Sequence, residues 1–391
     1  MKKVCLAITR MIPGGASSIV AGILSAGRGR YDFTLLTGSE DLPGTLIPSL
    51  KGSCRVEVLP SLVRNVRPVS DIRAYCQARD FFRRECFDVV HTHTSKAGVI
   101  GRMAAAAAGV GSVIHSTHGL IYSEGSRIQG VPGGPALKIL LAMERHAGRK
   151  ANALCVLSEA EKKIALELRL GTADKTFVIP NGIDTGLFTR SQADRERVRK
   201  EFGFRGGDIV LAAAGRISSE KGYDVLVRAF HLLAGTMPDL RLVLAGTGPD
   251  MEKISALAGN LRECGRIVLA GMRTDMPAVL SASDIFVHPA FYEGFGLAIA
   301  EAMAVGLPVI ATDVGGIPET VGDAGSAVIV RPGDVSSLAE AIGRVAGDPG
   351  LRAVLGAAGL KRSENFSSDR MLSSYFGLYD GGVVRPAGQV L

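Results

Sequence analysis

Asp284-Ile-Phe-Val-His-Pro-Ala-Phe-Tyr-Glu293-Gly-Phe-Gly-Leu-Ala-Ile-Ala-Glu301 reads as a strand, a glycine turn and a helix in succession. Asp284–Val287 is a short apolar run, Gly294 and Gly296 form the turn, and a helical pattern begins near Leu297. The same unit recurs along the chain. In the first half the runs are Val4–Ile8, Phe33–Leu36, Val56–Leu59, Asp88–His91, Ser112–Ser116 and Ala153–Leu157. In the second half they are Asp208–Ala213, Arg241–Ala245, Arg266–Leu269, Asp284–Val287, Pro308–Ala311 and Ala327–Val330. Several are apolar almost throughout, as parallel strands buried on both faces are. Strand alternating with helix predicts α/β architecture with ligands at the carboxyl ends of the strands. The pattern occurs twice, which predicts domains over 1–186 and 187–368, the second opening on a polar helix over Ser191–Glu201. Within the remaining segment, 369–391, Met371, Leu372, Tyr375, Phe376 and Tyr379 share one helical face.

Composition narrows the function. The chain has 391 residues, 47% hydrophobic and 21% charged, which excludes bulk disorder. Its 49 glycines follow no Gly-X-Y period, so they belong to turns, not to collagen. Six scattered cysteines form no C-x-x-C pair and predict a reduced, cytoplasmic protein. The apolar run after Lys2-Lys3 is too short for a signal-peptide core and reads as a first strand. Charge is uneven. Residues 1–187 carry 24 basic and 15 acidic side chains, and the remainder 21 and 23. A basic first half suits an anionic partner. Nucleic acid is excluded as that partner, because there is no Trp, aromatics are 5%, and no nucleic-acid motif occurs.

Four constellations carry chemistry. Gly294 and Gly296 precede a helix start, where exposed N–H groups and the helix dipole suit a phosphate. Glu293 and Glu301 flank that turn, and carboxylates accept paired hydrogen bonds from sugar hydroxyls; the alternative is two ordinary solvated glutamates. In Gly215-Arg-Ile-Ser-Ser-Glu-Lys-Gly222, Arg216 and Lys221 sit where they can clamp a diphosphate, or remain exposed loop cations. Pro13-Gly14-Gly15-Ala16 lets the backbone approach a phosphate, and Gly246-Thr-Gly248-Pro is a weaker signal of the same kind. His91-Thr-His93-Thr-Ser-Lys96 and His115-Ser-Thr-His118 gather four of the seven histidines at two strand ends. They lack carboxylate company, which argues against a metal site, and His91 and His115 read as structural. The chain has no D-x-D triplet, no G-x-x-x-x-G-K-[ST] loop and no G-x-S-x-G elbow, so phosphate charge is met by cations and helix ends.

Taken together, Pro13–Ala16, Asp88–Gly101, His115–Gly119, Ile179–Asp184, Gly215–Gly222, Leu244–Pro249, Asp284–Glu301 and Leu307–Glu319 resemble glycosyltransferase family 4, in particular its capsule, exopolysaccharide and O-antigen branch. The resemblance implies the GT-B fold, two Rossmann-like, doubly wound parallel-sheet domains facing across a cleft, with the last helix packed back on the first. It implies a retaining, metal-independent transfer from a nucleotide-diphosphate sugar, such as a UDP- or GDP-sugar, to a glycan or lipid-diphosphate-linked acceptor, without a cofactor. It assigns Glu293 to the donor sugar, Glu301 to the ribose, and Arg216 and Lys221 to the diphosphate. Gly14, Gly15, Gly248 and the amides of Phe295, Gly296 and Leu297 complete the donor site. His118 faces the reacting sugar, and His93 and Lys96 the acceptor. Ala16 and Ser17 stand where many relatives carry a polar residue such as Glu, which removes acceptor contacts from that loop. A sugar-nucleotide epimerase of the same architecture and a silent membrane-surface binding protein are the rival readings. Arg64, Arg67, Arg73, Arg79, Arg83 and Arg84, with Phe81 and Phe82 for apolar contact, predict peripheral docking on an anionic membrane, at the inner face of the cytoplasmic membrane.

Overall fold

A computed structural model of the chain describes residues 1–39, 46–50, 52–120, 134–322 and 325–381. Within these ranges the chain divides into two units, one of residues 1–120, 134–182 and 368–381, the other of residues 183–322 and 325–367. The chain leaves the first unit at Gly182/Ile183, where the Ile183 N–H donates to the Phe366 carbonyl at 2.7 Å, and re-enters it at Ser368. The part of the 369–391 segment beyond 381 lies outside the described residues.

The first unit holds β1 (Lys2–Ile8), β2 (Tyr31–Thr37), β3 (Arg55–Val58), β4 (Val89–His93), β5 (Ser112–Ser116), β6 (Ala153–Val156) and β7 (Thr176–Val178). All pair in parallel, in the order β3-β2-β1-β4-β5-β6-β7. Alternation along β1 fills two cores. Val4, Leu6 and Ile8 pack with Ile19, Val20 and Ile23 of helix Gly15–Ala26 and with Met371, Tyr375, Phe376 and Tyr379 of helix Ser368–Asp380. Cys5 and Ala7 turn to the other face and meet Ala74, Ala78, Phe81 and Phe82 of helix Pro68–Glu85. Phe81 and Phe82 are therefore core residues, not membrane contacts. The helical phase that sends them inward sends Val69 and Ile72 outward, 80% and 65% exposed, beside the equally exposed Val66.

The second unit holds β8 (Ile209–Ala214), β9 (Leu240–Ala245), β10 (Ile267–Gly271), β11 (Ile285–His288), β12 (Val309–Thr312) and β13 (Ala327–Val330), ordered β10-β9-β8-β11-β12-β13 and also parallel. Ser191 caps the polar helix Gln192–Glu201, its hydroxyl accepting from Asp194 N–H. In each sheet the strand order reverses once, beside β1 and β4 in the first and β8 and β11 in the second. Such reversals open a crevice at the carboxyl ends of the strands. Among the described residues no helix is long and apolar enough to cross a membrane.

Candidate active site

In the second unit the reversal point is built from two loops held backbone to backbone. The loop after β8 ends at Gly222, where an added Cβ would fall on the Pro289 carbonyl, and the Phe291 N–H donates to the Glu220 carbonyl at 2.8 Å. The loop after β11 is clamped from behind by Gly315 (φ +53), where a Cβ would fall on the Glu293 carbonyl, and by the Gly316 N–H, 3.0 Å from that oxygen. Thr320 donates its hydroxyl to the Phe295 carbonyl, and the Phe295 ring packs edge-on against Phe366. Gly296 (φ +89) then opens helix Leu297–Ala304 in a left-handed conformation that favours glycine. Among the described residues no side chain caps this helix, and no acid stands in its first turn, so its N-terminal amides face any incoming anion.

Glu293 is the hub. Its Oε2 accepts from Lys221 Nζ at 2.7 Å and from His288 Nε2 at 2.9 Å. Burial pushes the carboxyl up, but the Lys221 ammonium and the His288 donor outweigh it and hold Glu293 well below the usual carboxylate range. Lys221 keeps two of its three N–H donors for a ligand. Arg216 is exposed and makes no ion pair among the described residues, so its guanidinium is free for a polyanion. Glu301 lies one turn into the helix, has no side-chain partner among the described residues, and is pushed up to about 7 by burial. Gly248 supports the other loop from below, since a Cβ there would fall on the Ile217 carbonyl. His288 is a site residue that motif reading did not assign; its signal was a histidine closing an apolar strand five residues before Glu293.

In the first unit, Gly14 (φ +153) precedes helix Gly15–Ala26, which also lacks a side-chain cap and first-turn acids. β4 and β5 deliver the histidines. His91 and His115 are satisfied structural residues: His91 is held by Tyr379 and Ser116, and His115 by Thr92. His93 is fully buried and bonds to His118, whose backbone is left-handed (φ +54). Burial therefore removes His93 from direct acceptor contact. Lys96 is engaged as well: its ammonium lies 2.6 Å from Asp71 Oδ1 and donates to the Asn65 carbonyl. Among the described residues no cluster of three His, Cys, Asp or Glu is placed to hold a metal ion.

Two family models match. A glycosyl transferase 4-like domain covers residues 14–182, and glycosyl transferases group 1 covers residues 194–362. The UDP-Gal:alpha-D-GlcNAc-diphosphoundecaprenol alpha-1,3-galactosyltransferase of Escherichia coli is 30% identical over 325 residues, 82% of this chain and 81% of the relative. The chain belongs to glycosyltransferase family 4. A second family member, the D-inositol 3-phosphate glycosyltransferase of Actinosynnema mirum, is 32% identical over 304 residues, 75% of this chain and 72% of the relative. The crystal structure of Anabaena Alr3699/HepE in complex with UDP and glucose matches with a TM-score of 0.81 at 22% identity, over 97% of this chain and 100% of that one. That likeness establishes the GT-B fold. As a family 4 glycosyltransferase, the protein takes its sugar from a nucleotide sugar.

Proposed function

We propose that the protein is a retaining glycosyltransferase of cell-surface polysaccharide assembly, moving a sugar from a nucleotide-diphosphate sugar to a hydroxyl of a lipid-diphosphate-linked glycan. The observation that carries this reading is the cluster of Lys221, Glu293 and His288 beside the free Arg216 and an uncapped helix N-terminus. Such a cluster suits a sugar diphosphate: carboxylate for hydroxyls, cations and amides for phosphate. The name of the Escherichia coli relative supports both the UDP-sugar donor and the diphosphate-lipid acceptor.

In this reading the helix amides and Arg216 hold the diphosphate, Glu301 accepts from the ribose hydroxyls, and Glu293 accepts from the donor sugar. As the anomeric C–O bond breaks, negative charge gathers on the diphosphate and is stabilised by Arg216 and Lys221, already in place before reaction. The acceptor hydroxyl attacks from the side the diphosphate leaves, and a departing phosphate oxygen takes its proton. His118 is assigned to the sugar. Lys96, engaged by Asp71, is given no step in this scheme.

A transfer assay tests this reading, using a UDP-sugar and a polyprenyl-diphosphate sugar in excess EDTA. One UDP released per linkage formed, with the donor's anomeric configuration kept, is the expected result. An inverted linkage, an epimerised UDP-sugar in place of product, or turnover lost in EDTA and restored by magnesium would overturn it.

The first unit is further proposed to dock on an anionic membrane. Val66, Val69 and Ile72 are exposed together at the start of helix Pro68–Glu85, among the exposed Arg64, Arg67 and Arg73. Arg79, Arg83 and Arg84 contribute less: Arg79 pairs with Asp80, Arg84 with Glu85, and Arg83 donates to the Ala107 carbonyl. Each cation near anionic lipid is worth about 1 kcal/mol. Co-sedimentation with phosphatidylglycerol vesicles is expected at low salt, to weaken at high salt, and to fall in Val69→Asp. Equal binding to neutral vesicles, or none at low salt, removes the membrane from the account.

A further inference from the structure

Three imidazoles pack in a row in the first unit, each tilted against the next, and form a short stack of rings. The His91 and His93 ring centroids are 4.0 Å apart, and those of His93 and His118 are 5.1 Å apart. His91 is anchored at both nitrogens, Nδ1 to the Tyr379 hydroxyl at 2.7 Å and Nε2 to Ser116 Oγ at 2.8 Å, and Ser116 in turn donates to Tyr375 at 3.2 Å. One consistent proton order satisfies this chain with a neutral His91: Tyr379 O–H to Nδ1, Nε2–H to Ser116 Oγ, and Ser116 O–H to Tyr375. The stack therefore rests on helix Ser368–Asp380, which fixes its inner ring.

His93 bridges to His118 through Nδ1···Nε2 at 2.8 Å. Burial first, and neighbouring imidazoles second, hold His93 far below its ordinary value, and burial brings His118 down to about 4. Both rings are neutral near pH 7, so one proton lies between them and one is left over. The two outer nitrogens, His93 Nε2 and His118 Nδ1, are both buried without a partner among the described residues. If His118 donated, the spare proton would sit on His93 Nε2, in a ring with no exposed surface that no substrate can reach. A permanently orphaned N–H of that kind is rare, whereas an orphaned acceptor is tolerated better. If His93 donates, the spare proton sits on His118 Nδ1, which is covered as well but belongs to the one residue of the pair that keeps exposed surface. The left-handed His118 backbone, strained for a residue with a side chain, is then held for the sake of that ring.

We infer that His93 is a positioning residue: it donates Nδ1–H to His118 Nε2 and so fixes His118 as its Nδ1–H tautomer, a hydrogen-bond donor to a sugar oxygen. This rests on the assignment of His118 to the sugar made above. It also gives a role to the histidine that closes β4 without reaching solvent.

The test is nitrogen-15 NMR of the histidine-labelled full chain, which separates the two tautomers by the shifts of the unprotonated and protonated ring nitrogens. Wild-type His118 is expected to be protonated at Nδ1. His93→Asn keeps that state, because the Asn amide N–H stands near the position of Nδ1. His93→Leu removes the donor, and His118 reverts to Nε2–H, the form free neutral imidazole prefers. With it kcat falls about tenfold, the worth of one hydrogen bond, while UDP affinity holds, and His93→Asn restores most of the loss. An Nε2–H signal in the wild type, or an unaltered signal in His93→Leu, overturns the positioning. A shifted tautomer with unchanged kcat upholds the positioning and overturns the assignment of His118 to the sugar. If His93→Leu does not fold, the wild-type and His93→Asn spectra still decide.

Discussion

Lys221→Ala is expected to lower kcat by ~10²–10³, the cost of removing a charge that stabilises a leaving group. Two losses combine. The diphosphate loses an ammonium, and Glu293 loses the stronger of its two partners, the ion pair at 2.7 Å. With only His288 left, the Glu293 carboxyl moves back up toward its ordinary range and loses one of the two contacts that fix its orientation. Lys221 and Glu293 are 21% and 16% exposed, so solvent screening reduces what the pair contributes, and the variant is destabilised by roughly 1–2 kcal/mol. Arg216→Ala separates the two effects. Its guanidinium is exposed and pairs with nothing among the described residues, so its removal lowers kcat by a similar factor with a stability change within about 0.5 kcal/mol. Steady-state kinetics together with thermal melting of both variants check this. Normal turnover in either would remove that residue from the leaving-group site.

Glu301→Gln is expected to change the pH profile more than the turnover number. Burial without a partner raises Glu301 to about 7, so the free enzyme carries the ribose-accepting carboxylate only above that pH. Donor kcat/KM should therefore rise with pH through about 7 in the wild type, since this parameter reports the free enzyme. In Glu301→Gln that limb disappears and donor KM rises about tenfold, with kcat little changed, because a ribose contact is alike in ground and transition states. Stability moves the other way. A folded value above the unfolded one means the native state binds the proton more tightly, so stability falls as pH rises from the unfolded value to about 7 and stays lower beyond it. Glu301→Gln should thus melt higher than the wild type at pH 8, by on the order of 1–3 kcal/mol, and equally at pH 4. A wild-type profile without the limb, or a variant that keeps both limb and KM, removes Glu301 from the ribose.

Apolar runs made most strands legible, because parallel strands buried on both faces leave few polar residues to confuse the reading. The exceptions share a cause. β7, three residues long with only Phe177 and Val178 clearly apolar, reads as loop before Pro180. β4 extends to His93, beyond the expected stop at His91, because His-Thr-His is buried by pairing with Tyr379, Ser116 and His118, partners that lie far along the chain. Helix Pro68–Glu85 carries apolar residues on two faces, so composition alone did not tell that Phe81 and Phe82 face the core and Val69 and Ile72 the solvent. In the candidate site, motif reading named Lys221, Glu293 and Glu301 but left their relations open. The ion pair that joins Lys221 to Glu293 arises from loop packing across 72 residues of sequence. His288 needed the same packing to become visible.

The second unit is expected to seat the nucleotide diphosphate at the N-terminus of helix Leu297–Ala304, without a metal. Calorimetric titration of UDP into the full chain in excess EDTA addresses it directly. The account predicts one site in the wild type, weakened about tenfold in Glu301→Gln and further in Lys221→Ala. Equal affinity in all three proteins, or binding that appears only when magnesium is added, would contradict it.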